Sequence, residues 1–266
     1  MSVPFRRDAL VAIADAAGLL ARTLGAGPLQ TADKADGSPV TIVDREVNDF
    51  LRRELTALVP GSGWLSEETA DDPSRLDAAL VWIVDPIDGT QQLVRGIPEV
   101  AISIGLVDRT GVVAAAIVNP ITGERGVFVE GAEPEFLDLR AGERPRALDE
   151  ATAIVSLSES EAGELAFLDG VVGTTRPVGS AAYKLLRVAA GADALTYSIR
   201  PKSEWDVCAG VGLVRAAGLA YLRLDDRPVT FNQADTRIPS GAVAGPEPLV
   251  AELRDRINRR LSARRA

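Results

Sequence analysis

Apolar residues recur along the chain with two periods, and each period predicts a type of secondary structure. From about Phe5 to Leu24, and again from Val47 to Leu58, they recur at helical spacing. This spacing gathers apolar side chains on one face and predicts two amphipathic helices. The GAGP and PG segments that follow predict where these helices end.

Runs of β-branched and other apolar residues predict strands in the middle of the chain. One run begins at Val81, and two more, 100–108 and 112–119, are joined by the short link Arg109-Thr110-Gly111, which predicts a hairpin. These runs alternate poorly between apolar and polar residues, so we expect both faces of the sheet to be covered. Shorter strands are predicted at 126–130, 153–157, 194–199 and 219–224.

Helical patterns return in the second half, starting after Gly179-Ser180, near Asp206 and near Pro248. Between 131 and 152 the chain is rich in Glu, Pro, Arg and Gly and shows little periodicity. We therefore expect an N-terminal α+β subdomain, residues 1–149, and a C-terminal α/β subdomain, residues 150–266.

Composition limits the class of protein. A 266-residue chain with 46% hydrophobic residues can bury a full core, and its net charge of −9 argues against a broad basic surface for nucleic acid. Cys208 is the single cysteine, so no disulfide forms within the chain, and no stretch is typical of a signal peptide or a membrane span. We expect a soluble, cytoplasmic protein.

The chain has no histidine. This excludes Ser-His-Asp and Cys-His nucleophile systems, a phosphohistidine intermediate and a His-ligated zinc site. An enzyme with this composition must use carboxylates, hydroxyls, Lys, Arg or a cation bound by oxygen ligands.

The segment DPIDGT follows directly on the strand that begins at Val81. Asp85 and Asp88 leave this strand together, and buried carboxylates cost several kcal/mol each unless a cation or hydrogen bonds compensate them. Gly89 permits close backbone approach, and Thr90 can begin a helix whose free N–H groups would attract an anion. The segment therefore predicts a metal ion beside a phosphate.

Two further acidic motifs and a polar pair stand apart in sequence. Glu67 and Glu68 are adjacent about twenty residues before DPIDGT, and Asp206 lies in WDVCAG far after it. Thr41 and Asp44 stand near the start of the second helix. Taken alone, solvation explains the acidic pair and helix capping explains Thr41 and Asp44.

Together, DPIDGT, the acidic pair before it and WDVCAG after it resemble the inositol monophosphatase superfamily of phosphatases, over nearly the whole chain. The resemblance implies a layered αβαβα sandwich and hydrolysis of a phosphomonoester by direct attack of water. It also implies lithium inhibition, a homodimer and a small-molecule phosphate ester as substrate.

The resemblance further implies two or three Mg²⁺ ions. Glu68, Asp85 and the carbonyl of Ile87 would bind the first ion, and Asp85, Asp88 and Asp206 the second.

Roles in the chemistry are implied in the same way. Glu68 and Thr90 would orient and deprotonate the attacking water, with Asp44 and Thr41 assisting. The N–H groups of Gly89 and Thr90 would hold the phosphate. Two further residues are implied near the site, Glu67 at a third metal position and Lys34 in a less defined role.

The substrate depends on the segment before WDVCAG. Inositol-hydrolysing relatives carry a glutamate seven residues before the aspartate of that motif, where this chain has Ile199. Arg200 and Lys202 can instead meet added negative charge. The N–H groups at the helix start near Ser180, and Lys184, are further candidates on the substrate side.

These features look most like bacterial CysQ-type 3′(2′),5′-bisphosphate nucleotidases. An inositol-1-phosphate or general sugar-phosphate phosphatase is the alternative, and an inactive ligand-binding homologue is a further one. The chain departs from its relatives at Gln91-Gln92-Leu93, where an aromatic residue is usual at the third position.

Overall fold

The computed structural model describes residues 3–27, 29, 31–33, 39–142 and 144–265. Within these residues there are seven α-helices. Five lie at the positions that the helical periodicity predicts, and the other two are short. They are α1 (Arg7–Gly25), α2 (Ile42–Leu58), α3 (Thr90–Val94), α4 (Leu157–Glu161), α5 (Ala181–Ala189), α6 (Glu204–Ala216) and α7 (Glu247–Arg265).

Six strands form the first sheet, in chain order, and all neighbours are antiparallel except the parallel first pair. They are β3 (Gly63–Ser66), β4 (Val81–Asp88), β5 (Ala101–Val107), β6 (Val112–Val118), β7 (Arg125–Val129) and β8 (Glu135–Leu137). The predicted hairpin is β5–β6.

Both faces of this sheet are covered, as the poor alternation predicts. Trp82 and Val84 of β4 pack in one core with α1 and α2, whereas Val81 and Ile83 pack in another with α5 and α6. Successive side chains of a strand point to opposite faces, so a strand buried on both sides must be apolar throughout.

Five strands form the second sheet, in the order β10-β9-β11-β15-β13. They are β9 (Thr152–Ser156), β10 (Thr174–Val178), β11 (Leu195–Ser198), β13 (Ala220–Arg223) and β15 (Ala242–Gly245). Two short antiparallel pairs complete the strands, β1 (Thr31–Asp33) with β2 (Pro39–Thr41), and β12 (Lys202–Ser203) with β14 (Arg237–Ile238).

Helices α5 and α6 lie between the two sheets, and α7 covers the outer face of the second sheet through Val250, Leu253 and Ile257. The layers are therefore α1/α2, first sheet, α5/α6, second sheet and α7, which confirms the predicted αβαβα sandwich. The division into subdomains at residue 149 stays a prediction. No helix among the described residues combines the length and apolar character that crossing a bilayer requires.

Candidate active site

A cavity of about 340 Å³ lies at the end of β4, beside the starts of α5 and α6. Most of the predicted site residues line it, namely Glu67, Asp85, Ile87, Asp88, Gly89, Thr90, Ser180, Lys184, Arg200, Lys202 and Asp206. The fold thus brings together the segments that the sequence separates by more than a hundred residues.

The end of β4 departs from regular pairing where the two acids stand. Asp85 is opposite Ser103 of β5, and the register shifts before Asp88. The Asp85 carboxylate accepts a hydrogen bond from the Ile87 N–H at 3.0 Å, which closes a tight turn. Gly89 follows with φ of 102°, a conformation that glycine adopts without strain. The turn therefore directs both carboxylates into the cavity.

Asp85 is the acid at the centre of the site. Its side chain is buried, and burial raises its pKa well above the ordinary value. The negative charges of Glu67, Asp88, Asp206 and Asp44 raise the pKa further. An acid in this setting needs a cation or a proton to be stable.

Asp206 shows the same electrostatics at the start of α6. Burial and the charge of Asp88 raise its pKa to about 7, against the opposing effect of a hydrogen bond from the Ser203 N–H. That hydrogen bond, 2.7 Å long, belongs to the capping box of α6. The acid that the sequence places at the mouth of a helix therefore both caps the helix and faces the cavity.

These shifts predict a stability that depends on pH. The folded chain keeps protons on Asp85 and Asp206 that the unfolded chain, with a pKa near 3.8, releases. Stability without metal should therefore fall as the pH rises from about 4 through 7. Melting in EDTA at pH 5.5 and pH 8 checks this, with Asp206→Asn as the control that should depend less on pH. A wild-type dependence no steeper than that of the variant would contradict the prediction.

A hydrogen-bonded group beside the cavity joins Thr90 to the start of α2. The Thr90 hydroxyl donates to Asp44 Oδ1 at 2.7 Å. Asp44 Oδ2 accepts from the Thr41 hydroxyl at 2.6 Å and from the Thr41 N–H at 2.8 Å. Thr41 and Asp44 thus form a capping box at the start of α2, one of the two roles that the sequence analysis considers for them. Asp44 also orients Thr90.

The acidic pair is placed differently from the predicted roles. Glu67 lines the cavity, and its charge raises the pKa of both Asp85 and Asp206, whereas Glu68 is not part of the cavity wall. The N–H of Glu67 extends the pairing of β3 by bonding to the Val84 carbonyl. Of the two acids, Glu67 is thus the one that faces the cavity, although the sequence analysis gives it only the third metal position.

The predicted free N–H groups at the start of α5 are also placed differently. The Ala182 N–H donates to Asp88 Oδ2 at 2.6 Å, and the Ser180 hydroxyl donates to the same oxygen at 2.7 Å. The Gly179 N–H donates to Glu99 at 2.6 Å. Carboxylates of the chain thus occupy the N–H groups of Gly179 and Ala182, and the role of this helix start on the substrate side stays a prediction.

The three cations on the substrate side line the cavity but differ in their surroundings. Lys184 is buried, donates to the Ser180 carbonyl at 2.8 Å, and has a pKa lowered to about 8 by burial. The Arg200 guanidinium makes two 2.7 Å hydrogen bonds to Glu164. The Lys202 ammonium makes long contacts, of 3.4 Å and 3.5 Å, with backbone carbonyls and lies 3.5 Å from the Glu159 carboxylate.

Several residues that line the cavity are absent from the predicted site. They are Pro39, Gln91, Gln92, Ser156, Leu157, Ser158, Val178, Gly179 and Ala181. Only Gln91-Gln92 carries a sequence signal, its departure from the relatives. Lys34 lies outside the described residues.

Asp85, Asp88 and Asp206 are the acids that would have to fit a metal ion in this cavity. In the described part of the chain, no group of three or more acidic or cysteine side chains is already arranged to hold an ion. Asp85, Asp88 and Asp206 each accept hydrogen bonds from the protein instead. The ligand atoms that these side chains offer are nevertheless all oxygen. Burial and neighbouring acids raise the pKa values of Asp85 and Asp206, so a cation would stabilise their charged forms. An oxygen-ligated divalent cation therefore fits the chemistry of this set.

The chain combines a five-layer αβαβα sandwich with an acidic cavity at the end of β4. Residues 6–258 match the model of the inositol monophosphatase family. The chain belongs to the inositol monophosphatase family, and it is a phosphatase.

Individual relatives differ in the substrate that their names give. The chain is 36% identical over 199 residues to an inositol-1-monophosphatase of Rhizobium meliloti, covering 71% of this chain and 74% of the relative. It is 34% identical over 214 residues to a 3′-phosphoadenosine 5′-phosphate phosphatase of Mycobacterium leprae, covering 74% of each. The crystal structure of the extragenic suppressor protein SuhB from Bartonella henselae matches with a TM-score of 0.79 and 27% identity, over 94% of this chain and 96% of that one.

Proposed function

We propose that this phosphatase is Mg²⁺-dependent and hydrolyses 3′(2′),5′-bisphosphorylated nucleotides, releasing the 3′-phosphate of 3′-phosphoadenosine 5′-phosphate. The observation that carries the metal dependence is the setting of Asp85, whose pKa is raised by its burial and by four neighbouring acids. Such a cluster in front of a phosphate would repel it unless cations intervene.

The residues that would hold the ions follow the resemblance, with one change. Asp85, the Ile87 carbonyl and Glu67, in place of Glu68, would bind the first ion. Asp85, Asp88 and Asp206 would bind the second. When bound, these cations supply positive charge that neutralises the phosphate and lowers the pKa of the attacking water.

The chain's own groups would orient the water and the phosphate. Because the Thr90 hydroxyl donates its proton to Asp44, its oxygen is left to accept a hydrogen bond from a water in the cavity. Glu67 would take the proton of that water. The N–H groups of Gly89 and Thr90 would hold the phosphate after the left-handed turn at Gly89.

The nucleotide substrate is supported by the positive charges in the cavity lining. Lys184, Arg200 and Lys202 line the cavity together with the acids and can meet a second anionic group. At the position of the glutamate of inositol-hydrolysing relatives the chain has Ile199. Relatives named 3′-phosphoadenosine 5′-phosphate phosphatase and 3′(2′),5′-bisphosphate nucleotidase support the same assignment.

An inositol-1-phosphate or general sugar-phosphate phosphatase is the second candidate, supported by relatives named inositol-1-monophosphatase. An inactive ligand-binding homologue has no such support, since the acids and Thr90 are all in place. Lithium inhibition, a homodimer and a cytoplasmic location remain predictions from the resemblance and the composition.

A phosphate-release assay with nucleotide, inositol and sugar phosphates, in Mg²⁺ and in EDTA, tests this function. We expect release only with Mg²⁺, and a kcat/KM for 3′-phosphoadenosine 5′-phosphate at least about tenfold above that for inositol-1-phosphate, as one added charge contact provides. Equal or faster turnover of inositol-1-phosphate would reject the nucleotide substrate. Release that persists in EDTA would reject the metal dependence.

A further inference from the structure

A fully buried carboxylate, that of Glu159, lies behind the cavity wall in α4. It is 0% exposed and is not part of the cavity lining, so it has no place in the chemistry proposed above. A buried acid is costly unless its oxygens are satisfied, and its partners therefore indicate what it does.

Within the described residues, the hydrogen-bond and ion-pair partners of the Glu159 carboxylate come from one short segment, residues 198–202. The Ser198 hydroxyl donates a short hydrogen bond to it, and the N–H groups of Ile199 and Arg200 donate at 3.0 Å and 3.2 Å. The Lys202 ammonium lies 3.5 Å away. One side chain thus holds the backbone of this segment through hydrogen bonds and the Lys202 ammonium through an ion pair.

The 198–202 segment is the wall that carries the substrate-side cations. It joins the end of β11 to β12, and Arg200 and Lys202 of this segment line the cavity. Residues 156–158, just before Glu159, line the cavity as well. Glu159 therefore connects two parts of the cavity wall, residues 156–158 and the 198–202 segment, without lining the cavity itself.

The surroundings of the two cations indicate which of them depends on this tie. Glu164 already holds the Arg200 guanidinium with two hydrogen bonds of 2.7 Å. Among the residues that the structure describes, Glu159 is the carboxylate paired with Lys202, at 3.5 Å. The position of the Lys202 ammonium at the wall thus follows from Glu159 and from the backbone that Glu159 fixes.

We propose that Glu159 is a positioning residue that fixes the 198–202 segment, and with it Lys202, so that the cavity selects esters carrying a second anionic group. This rests on the proposed function for the identity of the substrate. The backbone N–H of Ile199, at the position where inositol-hydrolysing relatives carry a glutamate, is held by this carboxylate from α4 instead. The acids and Thr90 do not contact Glu159, so the reaction at the scissile phosphate should be unaffected.

Glu159→Gln tests the proposal, because glutamine keeps the shape but loses the charge and one of the two acceptor oxygens. We expect the KM for 3′-phosphoadenosine 5′-phosphate to rise about tenfold or more, with kcat changed less than about threefold and the KM for inositol-1-phosphate unchanged within about threefold. Glu161→Gln is the matched control, since Glu161 is exposed in the same helix and pairs with Arg95. Its ratio of kcat/KM for the two esters should equal that of the wild type.

Ser198→Ala removes one donor to Glu159 and serves as the milder variant if Glu159→Gln does not fold. It should shift the same ratio in the same direction by a smaller factor. An unchanged ratio in a folded Glu159→Gln protein, or in Ser198→Ala if only that one folds, overturns the proposal. If the wild type prefers the bisphosphate and Glu159→Gln loses the same factor of kcat/KM on both esters, the positioning role is rejected and the proposed function stands. A wild type with no preference rejects the nucleotide substrate and this inference with it.

Discussion

Replacing Asp85 with asparagine is expected to abolish phosphate release and to stabilise the metal-free protein at the same time. Burial and four neighbouring acids raise the pKa of Asp85, so its charge is unfavourable in the folded chain. Asparagine removes that charge and keeps an oxygen to accept the Ile87 N–H. With the proposed bridging ligand lost, kcat/KM should fall about 10³-fold or more, equivalent to about 4 kcal/mol at 1.36 kcal/mol per tenfold.

Melting temperatures in EDTA and phosphate release with Mg²⁺ measure the two effects. The gain in stability should be clear at pH 8 and should vanish towards pH 4, where the unfolded chain is protonated as well. Each kcal/mol gained raises the melting temperature of a chain of this size by about 2–4 °C. A variant that is less stable than the wild type at pH 8, or that retains activity, would contradict this description of Asp85.

Glutamine at position 67 is expected to cost far more activity than glutamine at position 68. Glu67 lines the cavity and acts electrostatically on Asp85 and Asp206, and we propose it as a metal ligand and proton acceptor. Loss of these roles should lower kcat about 10²-fold or more, as losing a general base alone does. Glu68→Gln should stay within about threefold of the wild type.

The two variants are matched controls for each other, since they make the same substitution at adjacent positions. Steady-state kinetics with Mg²⁺, together with melting temperatures to exclude unfolding, decides between them. The reverse order, with Glu68→Gln the more damaging, would restore the assignment that the sequence motif suggests.

The layered fold could be predicted largely from the sequence. The apolar period locates α1, α2, α5, α6 and α7, and the poor alternation in β5 and β6 correctly indicates a sheet covered on both faces. The order of the layers came from the resemblance, because the sequence pattern does not say which helix covers which face. Helices α3 and α4 are too short for a periodicity to emerge.

The sequence motif alone does not show which of Glu67 and Glu68 faces the cavity. Leu65 of β3 packs in the core of α5 and α6, whereas Trp64 packs towards α1 and α2 and Ser66 bonds to Asn48 of α2. Alternation along the strand therefore turns Glu67 to the side of α6, where Asp206 lies. That direction is set by the pairing of β3 with β4, which a pair of adjacent acids does not reveal.

The substrate side could be predicted least, because it depends on partners that are distant in sequence. The Ala182 N–H donates to Asp88, and the Arg200 guanidinium donates to Glu164. The sequence identifies Arg200 and the start of α5 as candidates, but it does not identify these acceptors. Glu159 lies in an acidic segment that has no motif, and only the fold brings it to Ile199. Side-chain type identifies candidates there, but the hydrogen-bond partners decide their roles.

The central claim is that Glu67, Asp85, Asp88 and Asp206 together bind divalent cations at the end of β4. Calorimetric titration of the metal-free protein with Mg²⁺, repeated for Asp85→Asn and for Glu68→Gln, tests it most directly. We predict binding by the wild type and by Glu68→Gln, and a loss of at least about tenfold in affinity for Asp85→Asn, since one charged ligand is removed. A wild type that binds no Mg²⁺, or an Asp85→Asn variant that binds as tightly as the wild type, would contradict the claim.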